Sequence, residues 1–229
     1  MKDMEFLGGV RVPGDGGTLS LHKRGEEFTL RVHDTELMSS GLHESEDALA
    51  RLACAKLARV PEPVVLIGGL GMGYTLAAAL KGVGPAARII VAELVPDVVE
   101  WNRGPLAHLA GNPLADPRVS VRVQDIALSL QTELQAFDAV LLDVDNGPEG
   151  LTRDSNNWLY SSDGLTAAYT ALRPGGVLAV WSSTPDKTFT MRLRKMGFEV
   201  EEVRVDSSAH DDRHTIWLAV NRADAPSEG

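Results

Sequence analysis

From residue 63 onward the chain alternates apolar runs of strand length with segments of helical periodicity, and that alternation constrains the fold more than any other feature. "VVLIGG", "ARIIVAEL", "RVSVRVQD", "FDAVLLDV" and "VLAVWSS" read as buried strands. Between and after them, "GYTLAAALKGV", "PDVVEWNRGPL", "IALSLQTELQ", "SSDGLTAAYTALRPGG" and "DKTFTMRLRKMG" read as helices. Pro96 suits a first helical turn, and Pro174 with its glycines stops the fourth helix. "FEVEEVRV" and "HTIWLAVNR" close the chain as a strand pair. Such a series predicts an α/β protein with a parallel sheet covered by helices on both faces. Its ligands belong at the carboxyl ends of the strands, where strand order reverses.

The first sixty residues differ. "GGTLSLHKRGEEFTLRVHDTELM" alternates apolar and polar residues about Arg24-Gly25, which predicts a small antiparallel β unit. "SEDALARLACAKLA" follows with helical spacing and Ser45 placed as an N-cap. Pro61 and Pro63 then break the chain. The expected organisation is an N-terminal β-hairpin and helix unit over 1–60, a nucleoside-binding catalytic domain over 61–222, and a flexible tail over 223–229.

Composition excludes several functions. A formal net charge of −10 over 229 residues disfavours nucleic-acid binding, which depends on Lys and Arg against phosphate. The same charge is compatible with a cationic substrate. No stretch is long and apolar enough to cross a membrane, and "MKDMEFLGGVRVPGDGG" lacks a signal-peptide core, so a cytoplasmic location is expected. The lone cysteine, Cys54, lies in "ALARLACAKLA" as a small core residue. The histidines show no zinc spacing, and no metal is expected.

Functional candidates fall at strand ends. In "IGGLGMGY", Gly69, Gly71 and Gly73, with Gly68 in front, sit between a strand and a helix, where backbone N–H groups can approach a nucleotide or nucleoside. No Lys-Ser/Thr follows, so this is not a phosphate loop of the Walker type. Glu93 ends the next strand, placed for ribose hydroxyls or for capping the helix opened by Pro96; Leu94 follows it. Asp125 ends the third strand, placed for an adenine amino group or as the cap of the helix beginning at Ile126. Asp143 ends the fourth, after a buried run where an unpaired acid is costly. Asp145 and Asn146 follow it, and Asn146, Gly147 and Pro148 read as a turn. Tyr160 and Trp158 come next as candidates for an acceptor pocket wall.

Together "VLIGGLGMG", "VAELVPDVVEWNR", "RVQDI", "FDAVLLDVDNGP" and "ALRPGGVLAVWS" resemble the spermidine synthase (polyamine aminopropyltransferase) family over about residues 16–221. The resemblance implies a Rossmann-like methyltransferase fold with a seven-stranded, mostly parallel sheet, and a small N-terminal β unit in front. It implies that Gly69, Gly71, Gly73, Glu93 and Asp125 hold decarboxylated S-adenosylmethionine, that Asp143 is the catalytic acid, and that the acceptor is an amine such as a polyamine. Cofactor-binding positions are then Gly68, Gly69, Gly71, Gly73, Glu93, Leu94, Asp125, Ile126 and Asp143, with Asp145, Asn146 and Tyr160 toward the acceptor. A homodimer is also implied.

The chain departs from the family pattern at named places. The family's glycine loop carries an acid that holds the aminopropyl amine, and here that position is Gly71. The acidic loop "DVDNGP" is shorter, so Asp145 matches the family's second acid only loosely. The tyrosine and glutamine expected before the core are not evident in "HESEDALARLA", and the late tyrosine is missing from "VDSSAHDDRHTIW". A glycine loop without an acid admits the carboxylate of ordinary S-adenosylmethionine, so methyl transfer stands as an alternative. Metal-dependent O-methyl transfer would need an Asp-Asn pair after "VWSS", which the sequence lacks. A non-catalytic nucleoside-binding protein is the remaining reading.

Overall fold

The computed structural model describes residues 3–14, 17–33, 35–144, 157–206 and 213–222. Asp145, Asn146, Gly147, Pro148 and the tail at 223–229 therefore lie outside the described residues. Near the N-terminus β1 (Glu5–Arg11), β2 (Thr18–Arg24), β3 (Glu27–Val32) and β4 (Thr35–Ser39) form an antiparallel sheet in the order β1-β2-β3-β4. The β2–β3 hairpin turns at Gly25, whose φ of +67° lies in the region that favours glycine. One face of this sheet is apolar: Leu19 and Leu21 on β2, Phe28 and Leu30 on β3, all buried.

Helix α1 (Glu44–Lys56) follows. His43 takes its N-cap position without a side-chain cap bond, and Ser45 lies inside the first turn, where its hydroxyl donates to Glu46 Oε2 at 2.5 Å. The N-cap expected at Ser45 is thus displaced by two residues. The first turn carries Glu44, Glu46 and Asp47, which the positive end of the helix dipole favours in place of a hydroxyl cap.

The main unit runs β5 (Val64–Gly68), α2 (Tyr74–Gly82), β6 (Arg88–Glu93), α3 (Pro96–Arg103), β7 (Val119–Val123), α4 (Ile126–Thr132), β8 (Phe137–Leu142), α5 (Asn157–Tyr160), α6 (Ser162–Ala171), β9 (Leu172–Ser182), α7 (Lys187–Lys195), β10 (Phe198–Asp206) and β11 (Arg213–Asn221). Its seven strands are ordered β10-β11-β9-β8-β5-β6-β7, with β5, β6, β7, β8 and β9 parallel and β11 antiparallel to both neighbours. The parallel strands are those expected from the alternation, and the seven-stranded Rossmann-like sheet is the one that the resemblance implies. The order reverses between β5 and β8, so the carboxyl ends of β5, β6, β7 and β8 open on one crevice.

Strand β9 begins earlier than the sequence suggests. It starts at Leu172 and contains Pro174 and both glycines, while α6 ends at Ala171. Proline is tolerated near the start of a strand, where no ladder donor is needed. The Arg173 guanidinium reaches Asp138 Oδ2 at 2.7 Å, and that oxygen also accepts from Val64 N at 2.8 Å, so one ion pair ties the starts of β9, β8 and β5.

Two apolar layers flank the sheet. On one side Val65, Ile67, Ala139, Leu141, Val177 and Ala179 pack with α1, α2 and the apolar face of the N-terminal sheet. On the other, Leu66, Val140, Leu142, Leu178 and Val180 pack with Ile126, Leu165, Phe189 and Trp217. Each fully buried Leu, Ile, Val or Phe contributes on the order of 1.5–3 kcal/mol of transfer free energy. The N-terminal sheet and the Rossmann-like sheet therefore share one continuous core.

Candidate active site

The crevice is built on the turn from β5 into α2. Gly69, Gly71 and Gly73 have φ of +84°, +52° and +85°, values that side chains resist, and this is why three glycines recur at alternate positions. Space adds a second reason. A Cβ on Gly69 would collide with the Asp143 carbonyl oxygen, and one on Gly68 with Ile126 Cδ1. Gly73 forms the N-cap of α2, and a Cβ there would press on the Asn102 and Pro113 side chains. Asn102, buried on α3, clamps the loop by donating from Nδ2 to the Gly71 carbonyl at 2.8 Å and to Val98 O at 2.9 Å.

Glu93 ends β6, buried at 7% exposure. Its Oε2 accepts from Leu70 N and its Oε1 from Val95 N, each at 2.8 Å. Burial raises its pKa, opposed by the amides of Val95, Leu70 and Leu94. Each oxygen keeps a lone pair, so a diol donating two hydroxyls would complete its solvation. Leu94 packs beside it against the core. Asp125 follows β7 as the N-cap of α4, its Oδ1 accepting from Ala127 N at 2.9 Å, so the helix-cap reading holds for that oxygen. Ile126 is buried behind Gly68.

Asp143 follows β8 directly. Its amide donates to Gly68 O at 3.1 Å, which holds it against the glycine loop. Its Oδ2 accepts from Thr75 Oγ1, in the first turn of α2, at 2.5 Å. Burial pushes the Asp143 carboxyl up to about 6, with the Thr75 bond opposing. A carboxylate titrating there is suited to accept a proton near neutral pH. Tyr160 lies beneath this strand end, 2% exposed, and its hydroxyl donates to Val144 O at 3.0 Å. Its structural contact is therefore the backbone next to Asp143, and Arg192 in turn donates to the Tyr160 carbonyl at 2.6 Å.

Four residues that the strand-end reading passed over also meet here. Tyr74 stacks on His43, ring centroids 4.0 Å apart, and donates its hydroxyl to Ser40 O at 3.1 Å. Thr75 holds Asp143 as described. Glu46 on α1 is 8% exposed, and its carboxyl is pushed up to about 7, by burial first and by the charge of Asp143 second. A signal for Glu46 was in the sequence: with Leu49, Ala50, Ala53 and Cys54 it follows helical spacing along the buried face of α1. Met38 of β4 reaches over the loop, its Sδ nearest the point where a Gly71 Cβ would stand. The N-terminal unit thus contributes directly to the crevice wall. Among the described residues, no group of three or more His, Cys, Asp or Glu side chains is arranged to hold a metal ion. No helix among them is long and apolar enough to cross a membrane.

Comparison with known proteins gives the same outline. Residues 47–195 match the family profile described as the spermine/spermidine synthase domain. A polyamine aminopropyltransferase of Mycobacterium tuberculosis is 33% identical over 151 residues, covering 62% of this chain and 28% of that protein. One from Pyrobaculum calidifontis is 32% identical over 87 residues, covering 37% of this chain and 29% of that protein. The matched stretches therefore span under a third of the length of these relatives. The fold matches the crystal structure of spermidine synthase from Thermotoga maritima with a TM-score of 0.76 at 18% identity, over 97% of this chain and 75% of that one. It also matches a spermidine synthase in complex with the transition-state analogue AdoDATO, with a TM-score of 0.75 at 18% identity, again over 97% and 75%.

Proposed function

Because the chain belongs to the spermine/spermidine synthase family, we propose that it is an aminopropyltransferase, moving an aminopropyl group from decarboxylated S-adenosylmethionine to an amine acceptor of polyamine type. The observation that carries this reading is Asp143: a carboxylate at the reversal point, held against the glycine loop by its own amide and oriented by Thr75, with its pKa moved toward neutrality. The nucleoside lies along the strand ends. The N–H groups of the loop from Gly68 to Gly73 face it, Glu93 takes the ribose hydroxyls, and Asp125 offers Oδ2 to the adenine amino group. Leu94 and Ile126 supply apolar walls.

In the transfer, the neutral acceptor nitrogen attacks the propyl carbon bound to the sulfonium. The C–N bond forms, the C–S bond breaks with its electron pair to sulfur, and methylthioadenosine leaves. Asp143 orients the attacking amine and accepts the proton it sheds; holding both reactants in line is the larger part of the catalysis. Buried carboxylates at Asp143 and Glu46 favour the decarboxylated cosubstrate over ordinary S-adenosylmethionine, whose extra carboxylate they repel. This weighs against methyl transfer despite the missing loop acid. Asp145 and Asn146 remain assigned to the acceptor side.

The test is turnover of decarboxylated S-adenosylmethionine across a panel of polyamines, monoamines and phenols. Methylthioadenosine release with a di- or polyamine is expected, and none with phenols. Asp143→Asn is expected to lower kcat by roughly 10²–10⁴-fold while nucleoside affinity stays within a few-fold. A variant with full turnover would remove Asp143 from the mechanism.

A further inference from the structure

Among the described residues, other carboxylates withdrawn from water have their charge answered: Asp138 by the Arg173 guanidinium, and Glu93 by the amides of Leu70 and Val95. Glu46 and Asp143 differ. Glu46 is 8% exposed and accepts from the Ser45 hydroxyl at 2.5 Å, and the Asp143 side chain accepts from the Thr75 hydroxyl. No lysine or arginine among the described residues pairs with either one. Two carboxylates removed from water without a cation are costly, and the cost falls when a cation arrives.

The framework explains how they come together. Helix α1 packs along α2 and against β8 and β9. At the N-terminus of α2, Tyr74 stacks on His43, the residue before α1, while the adjacent Thr75 holds Asp143. Glu46 and Asp143 therefore flank the same helix end from two sides. On β9, the neighbour of β8, Trp181 has a buried indole N–H with no partner among the described residues. Titratable groups on the elements packed against α1 include Tyr74 on α2, Asp143 after β8, His214 on β11 beside Trp181, and Glu201 on β10, which pairs with Lys56. Asp47 in α1 itself pairs with His43.

We propose that Glu46 is a second carboxylate of the transfer site and binds a primary ammonium of the bound reactant, doing from α1 what the glycine loop, with Gly71, does not. This inference rests on the aminopropyl-transfer reading and specifies it. The ammonium has two sources, the aminopropyl end of the donor or the free end of the acceptor. Without ligand, Glu46 and Asp143 repel one another and retain about one proton between them near neutral pH. An arriving ammonium takes that proton's place.

Calorimetry of the full chain tests this with three probes: methylthioadenosine, which has no ammonium; decarboxylated S-adenosylmethionine; and 1,4-diaminobutane added to the methylthioadenosine complex. Titrations run near pH 6.5 in two buffers of different ionisation enthalpy, so that proton release on binding is read directly. In the wild type, methylthioadenosine is expected to bind without proton release and the ammonium-bearing probe to release up to about one proton. Glu46→Gln is expected to leave methylthioadenosine affinity within about twofold, to weaken the ammonium-bearing probe about 10–100-fold, and to abolish the release. Glu46→Asp, which keeps the charge on a shorter arm, is expected to recover part of both. A loss in the donor arm identifies the aminopropyl ammonium, and a loss in the diamine arm alone identifies the acceptor. A Glu46→Gln protein that binds all three probes as the wild type does, or that loses all three equally, overturns the inference. A wild type that binds no nucleoside probe overturns the function reading, and this inference with it.

Discussion

A buried acid records its surroundings in its pH dependence. The Glu46 carboxyl stands at about 7 in the folded chain, above its ordinary 4.5. Between those values the native state holds a proton that the unfolded state has lost, so the contribution of Glu46 to stability falls as pH rises through the window and is lowest above it. Glu46→Gln removes that slope. The variant is expected to melt at the wild-type temperature near pH 5 and roughly 2–8 °C higher near pH 8 when no ligand is present, read by calorimetric scans. Equal shifts at both pH values would mean that the charge of Glu46 is not what burial penalises. Residues at this scale were legible in the sequence where backbone geometry alone selects them. Gly69, Gly71 and Gly73 sit at positive φ, and Asp143 ends a wholly buried strand whose last four residues are apolar. Helical spacing places Glu46 on the buried face of α1 but does not say what it meets there, and the contact of Thr75 with Asp143 joins segments far apart in the chain.

Elements were legible in proportion to their periodicity. The strands and helices of the sheet followed from apolar spacing, and Pro96 and Asp125 mark the helix starts that their residue types favour. The misplaced starts, at α1 and β9, are those where another effect outweighs the expected preference: at α1 the acids of the first turn at its dipole end, and at β9 a tertiary contact that draws Arg173 to Asp138. Asp125 serves an element and is proposed to serve a ligand, and substitution separates the two. Asp125→Ala removes the cap and is expected to cost about 1 kcal/mol of stability, measured by urea unfolding. Asp125→Ser restores a capping oxygen and is expected to recover most of that loss while nucleoside affinity stays reduced. Full affinity in the serine variant would confine Asp125 to the cap. Gly69→Ala tests the loop. The added Cβ meets the Asp143 carbonyl at a backbone angle that alanine resists, so a loss of at least about 1–3 kcal/mol is expected, with a parallel fall in nucleoside affinity.

At the scale of the whole molecule, the N-terminal sheet does not stand apart. Leu21, Phe28 and Leu30 lie in the same apolar cluster as Val65, Ile67 and Leu141. The sequence announced that unit through its alternation about Gly25, but not where its apolar face would go, since alternation fixes a face and not its partner. Phe28 is 2% exposed, packed against the His108 ring at 5.7 Å. Phe28→Ala is expected to destabilise by about 3–5 kcal/mol and to shift a single unfolding transition seen alike by far-UV and tryptophan signals. Two separate transitions would show that the two sheets melt independently.

The close approach of Gly69 to Asp143 has a consequence for how such a scaffold acquires new reactions. With no side chain between them, the loop proposed to cradle the nucleoside and the carboxylate proposed to receive the proton behave as a ruler of fixed length. A reactant with a longer, shorter or differently charged alkyl arm has to be accommodated on the opposite wall, where α1 and β4 supply Glu46 and Met38. Laboratory evolution toward another transferable group is therefore expected to leave the strand ends unchanged and to collect its substitutions in the first turn of α1 and along β4.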